Sequence, residues 1–142
     1  GRVNLKDWLA KLDLNVLTSV SEAVALAIGE AGAAGVPSIA TDVGACREML
    51  EGKLGDDALL GPSGIITPVA SPGATAQAIL ELARDPLRFK ELADAGLKRI
   101  ERYYHQDAVF AYYRQTYAQL AKQARAARGE GVGLLGRWKG GP

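Results

Sequence analysis

The sequence predicts an α/β fold in which helices flank a parallel β-sheet. Two short apolar runs, Leu14 to Leu17 and Val36 to Ala40, are rich enough in branched residues to form buried strands. The segment between them is rich in Ala, Leu and Ile and predicts a helix that extends to about Ala34. Gly35 is suited to end this helix, and Pro37 prevents its continuation. Strand, helix and strand in this order predict a right-handed crossover that places two parallel strands side by side.

The remaining elements continue this pattern. Residues 1–13 predict a short amphipathic helix, residues 45–50 one or two helical turns, residues 51–64 a loop and residues 64–68 a third strand. From residue 74 onward the pattern is helical. Asp85 and Pro86 are typical of a helix start, so we expect one helix to end before them and a second, interrupted or thinned near Gly96, to cover residues 87–104. A third helix is predicted over residues 106–128, and the glycine-rich residues 129–142 are interpreted as a disordered tail.

Composition narrows the function classes. With 48% hydrophobic and 23% charged residues and a net charge of +1, the chain resembles an ordinary globular protein, and nothing in its charge indicates a nucleic-acid partner. Cys46 is the only cysteine, so an intrachain disulfide is impossible. The sequence contains no apolar run long enough for a membrane span and no recognisable signal peptide. Because the chain opens at Gly1 inside a folded pattern, we expect it to be a fragment of a longer protein.

The polar segment after the first predicted strand is the candidate ligand site. In open parallel sheets, ligands bind at the carboxyl ends of the strands. Glu22 and Glu30 lie there with seven residues between them, and backbone N–H groups at the start of a helix can bind a phosphate or a sugar oxygen. Two structural alternatives stay open. Ser19 and Glu22 match a capping box, which would start the helix at Ser19, and Glu30 could be a solvated helix residue.

Other conspicuous residues favour structural interpretations. His105 is interpreted as a surface or capping histidine, and Cys46 as a small buried residue. An aromatic stripe at helical spacing is more often core packing than a binding surface; its members are Tyr103, Tyr104, Phe110, Tyr112, Tyr113 and Tyr117. A late basic cluster is interpreted as a solvated helix end, with attachment to a membrane surface as the alternative; its members are Lys122, Arg125, Arg128, Arg137 and Lys139.

The segment from Ser21 to Leu50, which begins S-E-A-V-A-L-A-I-G-E-A-G-A-A-G-V-P, resembles the donor-binding signature of retaining glycosyltransferases of family four. The segments T-D-V-G-A-C-R-E, L-G-P-S-G-I-I-T-P and R-Y-Y-H-Q-D-A-V-F-A-Y-Y-R-Q-T-Y look most like the Pel exopolysaccharide branch. The resemblance extends from Gly1 to about Gln123. It implies a Rossmann-like parallel sheet within the C-terminal, donor-binding domain of a GT-B fold, formed here by residues 1–128.

This resemblance implies roles for particular residues. Glu30 would bind the ribose hydroxyls of a nucleoside diphosphate sugar, which the branch suggests is UDP-glucose, and Glu22 would contact the donor sugar. The backbone amides of Ala23, Val24, Ala25 and Leu26 would face the sugar and the diphosphate. Family members use no metal and no other cofactor, and a basic pair that grips the diphosphate lies upstream, outside this chain. The fragment is therefore not expected to catalyse transfer alone.

The sequence departs from the family pattern at several positions. Ala23, Val24 and Ala25 stand where the family usually has a glycine or alanine, an aromatic or glutamine, and a proline or glycine. Gly29 and Gly32 replace bulky apolar residues inside a helix, at about 1 kcal/mol each relative to alanine. These departures keep a rival open, in which the fold serves as a non-catalytic nucleotide-sensing or scaffolding module. A GT-B epimerase or phosphorylase is a further alternative.

The resemblance also implies partners and a location. The last helix would cross toward a missing N-terminal acceptor domain and would carry exposed apolar surface in this fragment. A cytoplasmic location is expected, with peripheral association at the inner membrane through a membrane-embedded polysaccharide export partner as an option. No nucleic-acid partner is expected.

Overall fold

The computed structural model of the chain describes residues 6–9, 11–53, 55 and 57–128, and the predicted tail lies outside these residues. The chain divides into two compact units, one ending at His105 and the other beginning at Gln106. The elements are α1 (Lys6–Leu9), β1 (Asn15–Leu17), α2 (Leu26–Ala33), β2 (Ser38–Thr41), α3 (Cys46–Glu51), β3 (Gly64–Thr67), α4 (Pro72–Arg84), α5 (Pro86–Tyr103) and α6 (Gln106–Ala127).

The three strands form one parallel sheet in the order β1-β2-β3, which confirms the predicted α/β class. Asn15 is paired with Ser38 and Ala40 with Ile66, so the three strands run side by side and end at the same edge. The central strand β2 is buried along its whole length. A strand that is covered on both faces is typical of parallel sheets, in which the crossover helices cover the faces.

Alternating side chains of β2 divide the core into two clusters. Ala40 packs in one cluster with residues of α2 and α3, among them Ile28 and Leu50. Ile39, one position earlier, packs in the other cluster with Leu82 of α4 and with residues of α5. Because successive strand residues point to opposite faces of a sheet, helices must lie on both sides of this one.

The glycines of α2 are explained in part by a close helix crossing. A Cβ atom built on Gly32 would lie 2.9 Å from the Cγ1 atom of Ile100, and one built on Gly96 would lie 3.6 Å from the Cα atom of Gly32. The backbones of α2 and α5 therefore approach each other at Gly32 and Gly96. The expected interruption near Gly96 is wrong, since α5 runs unbroken from Pro86 to Tyr103 and uses Gly96 for this contact. At Gly29 a Cβ would make only an ordinary contact, 3.7 Å from the Cε atom of Met49.

Some of the predicted element boundaries agree with the structure, and others differ from it. The start of α5 is confirmed, because Pro86 occupies its first turn and the Asp85 carboxylate accepts a hydrogen bond from the Arg88 N–H at 2.9 Å. The helix expected from residue 74 already begins at Pro72. Within the predicted loop 51–64, residues 58–60 form a short 3₁₀ turn.

Arg99 of α5 is hydrogen-bonded to the segment that connects α3 to β3. Its side chain is 1% exposed. Nε donates to the Asp57 carboxylate at 2.6 Å, Nη1 donates to the Leu50 carbonyl and the Ser63 hydroxyl, both at 2.9 Å, and Nη2 donates to the Asp57 carbonyl at 3.1 Å and the Gly61 carbonyl at 2.7 Å. All five guanidinium N–H groups are therefore used. The charge of Arg99 is compensated by Asp57, and the backbone of the connection is fixed to α5.

The second unit consists, within the described residues, of the single helix α6. None of its side chains is buried. Tyr113 stacks on Tyr117 with ring centroids 6.1 Å apart, and Tyr117 is 65% exposed. The core-packing interpretation of the aromatic stripe is therefore wrong for the α6 aromatics, whereas Tyr104 packs against the α2–α3 cluster as expected. Among the described helices, none has the length and apolarity that crossing a bilayer would require.

Candidate functional site

The loops that follow β1 and β2 meet at the carboxyl edge of the sheet. We call residues 18–25 the first loop and residues 42–45 the second loop. The Thr41 hydroxyl, at the end of β2, donates a hydrogen bond to the Ser19 carbonyl. The Ala45 N–H donates to the Ala23 carbonyl at 3.1 Å, which joins the second loop directly to the first. The two strand-end loops therefore form one connected structure.

The first loop delays the start of α2 until Leu26. The capping-box interpretation is wrong, because Ala25 occupies the N-cap position without a side-chain hydrogen bond. The Ser19 hydroxyl instead donates to the Glu22 carboxylate, Oγ to Oε1, at 2.7 Å within the loop. The carbonyls of Ser19 and Ala23 accept hydrogen bonds from Thr41 and Ala45, which hold the first loop against β2 and the second loop.

The amides predicted to face the donor fall into two groups. The N–H groups of Ala23, Val24 and Ala25 donate to no acceptor within the part of the chain that is described, whereas the Leu26 N–H donates to the Val24 carbonyl at 3.1 Å. The side chains of Ala23 and Val24 are exposed, that of Ala25 is buried in the core, and that of Leu26 is 73% exposed. The amides of the exposed residues Ala23 and Val24 are therefore available to an acceptor from outside the chain, whereas the Ala25 amide belongs to a buried residue.

The two carboxylates have different surroundings. Glu22 is half-buried, and its Oε1 is occupied by Ser19 while its Oε2 has no hydrogen-bond partner in the described ranges. Glu30 is exposed on α2, and no hydrogen bond or ion pair joins its carboxylate to a described residue. Both carboxylates can accept further hydrogen bonds. Their assignment to the donor sugar and the ribose stays a prediction.

Arg47, at the start of α3, is committed to two carboxylates. It forms paired hydrogen bonds with Asp42, at 3.1 and 2.7 Å, and with Glu51, at 2.9 and 3.0 Å. The hydrogen bonds from Arg47 hold the pKa of Asp42 below its usual value. Since the Arg47 charge is balanced within this cluster, the group is suited to hold the second loop and poorly suited to grip a diphosphate.

Cys46 is a neutral core residue. It is fully buried in the α2–α3 cluster, as predicted. Burial raises the pKa of its thiol, and the nearby negative charges of Glu22 and Asp42 raise that pKa further. A thiol in these surroundings is a weak nucleophile, which agrees with a structural role.

The carboxyl edge also has a concave surface beside α4. A cavity of about 390 Å³ lies between the first loop and the start of α4; among its lining residues are Thr18, Val20, Thr41, Ser71, Thr75 and Ile79. Ala70, also on this surface, has a backbone φ of 54°, which is unusual for a residue other than glycine. Concave surfaces at a sheet edge are the usual location of ligand sites in α/β proteins.

The described residues contain no group of three or more His, Cys, Asp or Glu side chains that could hold a metal ion. Metal-independent chemistry stays a prediction. The sequence predicts ligand binding at this edge of the sheet, but the hydrogen bonds from Thr41 and Ala45 to the first loop have no signature in the sequence. The available signal was Gly44, a glycine in a short polar loop after a buried strand.

Comparisons with known proteins identify the family. The model of the family described as "Glycosyl transferases group 1" matches residues 1–85. Sucrose-phosphate synthase from Thermosynechococcus elongatus is similar in structure, with a TM-score of 0.71 and 25% sequence identity over 82% of this chain. The match covers 27% of the synthase chain, so the present chain spans about a quarter of that relative. A comparison with curated proteins gave no match. Because the family match includes more than half of the residues, the chain belongs to the group 1 glycosyltransferases, and its parallel sheet and flanking helices correspond to part of a GT-B enzyme.

Proposed function

We propose that this chain is the donor-binding part of a retaining glycosyltransferase of family four, in the Pel exopolysaccharide branch. The enzyme would transfer glucose from UDP-glucose to a growing polysaccharide without a metal ion. One observation carries the proposal: three consecutive amides, Ala23 to Ala25, have no acceptor among the described residues and lie in the sequence between two carboxylates that can accept further hydrogen bonds, at the carboxyl edge of a parallel sheet.

Glu30 is proposed to bind the ribose. A carboxylate suits a cis-diol because each of its oxygens can accept one hydroxyl hydrogen bond, and the negative charge strengthens both bonds. The exposed Glu30 side chain has no competing partner among the described residues. A glutamate that is already salt-bridged would first have to break that pair.

Glu22 and the free amides are proposed to bind the sugar and the diphosphate. The Oε2 atom of Glu22 is available to a sugar hydroxyl, while Ser19 holds Oε1. The amides of Ala23, Val24 and Ala25 precede α2, so they combine hydrogen-bond donors with the positive end of a helix dipole. Donors fixed in advance stabilise the charge that develops on a leaving diphosphate. Replacing the usual family residues by Ala-Val-Ala does not remove these donors, because they belong to the backbone.

The rest of the catalytic apparatus is proposed to lie in a longer protein. It includes the upstream basic pair and an N-terminal acceptor domain, toward which α6 would cross. The exposed aromatic residues of α6, Phe110, Tyr112, Tyr113 and Tyr117, supply apolar surface for such a contact. The longer protein is proposed to act in the cytoplasm and to reach the inner membrane through an export partner.

A ligand titration of the full-length protein tests the proposal. Calorimetry with UDP-glucose, UDP and ADP should show selective binding of the uridine ligands, and Glu30→Ala should weaken it about tenfold or more. Glu81→Ala is the matched control, because Glu81 is also an exposed glutamate on a helix but lies on α4. The affinity of the Glu81→Ala variant for the uridine ligands should equal that of the wild type. Equal losses in both variants, or no loss in Glu30→Ala, would contradict the ribose assignment.

Activity assays on the same full-length protein distinguish the alternative functions. The Ala23-Val24-Ala25 sequence, which offers no side-chain donor, favours a nucleotide-sensing module as the second candidate. A sensing module would bind UDP-glucose but release no UDP from it in the presence of acceptor. An epimerase would convert the sugar without transferring it, and a phosphorylase would require phosphate. Formation of a glycosylated product would support the transferase.

A further inference from the structure

We infer that the second loop positions the donor-binding groups of the first loop, and that Gly44 is the residue that permits it. The inference rests on the proposed function, since it concerns the same donor site. The two loops are in backbone contact. The sequence places both loops at the ligand-binding edge of the sheet but assigns no role to Gly44.

Two hydrogen bonds bracket Glu22. Before it, the Ser19 carbonyl accepts from the Thr41 hydroxyl, and after it, the Ala23 carbonyl accepts from the Ala45 N–H at 3.1 Å. Ser19 in turn donates to the Glu22 carboxylate at 2.7 Å. The backbone on each side of Glu22 is therefore held by β2 and the second loop, and the Glu22 side chain is held by Ser19. The amides of Ala23 to Ala25 follow directly.

Gly44 lies against the backbone of the first loop. A Cβ built on Gly44 would overlap the Glu22 carbonyl oxygen and would lie 2.7 Å from the Glu22 carbonyl carbon and 2.9 Å from the Ala23 carbonyl oxygen. These are backbone atoms, so a side chain on Gly44 could be accommodated only by moving one loop away from the other. The φ of 51° at Gly44 is a second reason for glycine at this position.

The second loop is firmly held, so the first loop is the one that would move. The Asp42 N–H donates to the Thr67 carbonyl of β3, and the Val43 N–H donates to the Thr41 carbonyl, both at 2.9 Å. Arg47 binds the Asp42 carboxylate and is itself held by Glu51. In contrast, three amides of the first loop have no acceptor among the described residues, and the side chains of Val20 and Val24 are exposed.

Displacing the first loop should affect the two ends of the donor differently. Glu22 and the free amides, which are proposed to meet the sugar and the diphosphate, belong to the first loop. Glu30, proposed for the ribose, is on α2, which the close crossing of Gly32 and Gly96 fixes against α5. A small displacement of positioned groups is enough to lower binding and catalysis strongly. UDP has the diphosphate but no sugar, so it loses only the amide contacts, whereas UDP-glucose also loses the contact with Glu22. The loss should therefore be larger for the nucleotide sugar than for the nucleotide.

The test compares Gly44→Ala with Gly35→Ala in the full-length protein. Gly35 also has a positive φ, 71°, but a Cβ there would meet no atom within 4 Å, so this control reproduces the backbone strain without the contact. Gly44→Ala should weaken UDP-glucose binding about tenfold and UDP binding less than about threefold. Gly35→Ala should leave both affinities within about twofold of the wild type at a temperature where it is folded.

A second variant supports the test where Gly44→Ala does not fold. Thr41→Val keeps the side-chain shape and removes only the hydroxyl that holds the Ser19 carbonyl. It should show the same selective loss at a smaller size, about threefold for UDP-glucose.

Equal weakening of UDP-glucose and UDP, or unchanged affinities in Gly44→Ala and Thr41→Val, would overturn the positioning role while leaving the proposed function intact. A wild-type protein that binds neither ligand would overturn both.

Discussion

The first loop and the connection between α3 and β3 are both polar segments, yet their hydrogen-bonding groups are used in opposite ways. In the connection, residues 52–63, Arg99 supplies five donors to Asp57, Ser63 and backbone carbonyls, and it is almost completely buried. In the first loop, three consecutive amides have no acceptor within the described chain. The connection is hydrogen-bonded to a buried side chain of α5, and the first loop keeps donors that have no acceptor among the described residues.

This contrast separates stability from function. Buried polar groups must be paired, because an unpaired one loses its hydrogen bonds to water without replacement. A saturated segment such as the connection therefore contributes to folding and has little capacity for a ligand. An exposed segment with unpaired donors contributes little to folding and can bind one. We expect substitutions in the two segments to affect different measurements.

The largest effect is expected for Arg99→Leu. It removes the charge that compensates Asp57 in a buried ion pair and the donor to the Gly61 carbonyl, while the Asp57 carboxylate keeps only the Lys53 N–H at 3.3 Å. Removing one partner of a buried pair typically lowers the free energy of unfolding by about 3–5 kcal/mol. Urea denaturation measures this change.

Arg88→Leu is the control for Arg99→Leu, since Arg88 is half-buried on the same helix and its Nη1 atom lies 4.0 Å from the Glu91 carboxylate. It should change stability by less than about 1 kcal/mol. A loss in Arg99→Leu no larger than that of the control would contradict the structural role of the connection.

An intermediate effect is expected for Ser63→Ala. The Ser63 hydroxyl accepts from Arg99 and donates to the Leu50 carbonyl at 3.1 Å, and both partners are buried. Its removal should lower the free energy of unfolding by about 1–3 kcal/mol, measured in the same way. Ser71→Ala is the matched control, because the Ser71 side chain makes no capping hydrogen bond at the start of α4. Comparable losses in both variants would show that the Arg99 network is not the cause.

The smallest effect on stability is expected for Ser19→Ala in the first loop. Ser19 holds the Glu22 carboxylate through a part-buried hydrogen bond, so the free energy of unfolding should change by no more than about 1 kcal/mol. UDP-glucose affinity should nevertheless fall about threefold, because the carboxylate loses its orientation. Denaturation and calorimetry on the same preparation measure both values. A stability loss as large as that of Ser63→Ala would remove the distinction between the two segments.

Local sequence signals predicted the elements whose cause is local. The apolar runs located the strands, and Asp85 with Pro86 located the start of α5, because capping and proline geometry involve adjacent residues. The capping-box alternative for the start of α2 was wrong, and the contacts that hold the first loop instead come from Thr41 and Ala45, which are distant in sequence. No local pattern shows that a carbonyl already has a long-range partner.

The candidate site shows the same division. Glu22 and Glu30 were predicted to be site residues because their spacing resembles a known signature, and their roles stay a prediction. Gly44 acts through a contact with a loop some twenty residues earlier, and Arg99 resembles the exposed charges around it on α5. In the same way, Gly32 looked unfavourable for a helix until its contact with α5 was visible. Contacts between distant segments decide all three positions.

The burial of Cys46 has a practical consequence for studying donor binding by spectroscopy. It is the only cysteine in the sequence, it is fully buried, and its raised thiol pKa keeps it protonated near neutral pH. Maleimide and iodoacetamide reagents require an accessible thiolate. A single cysteine introduced at Val24, whose side chain is 56% exposed in the first loop, can therefore carry a fluorophore or a spin label while the native thiol stays unmodified. This chain can therefore be labelled at one introduced cysteine without first replacing Cys46.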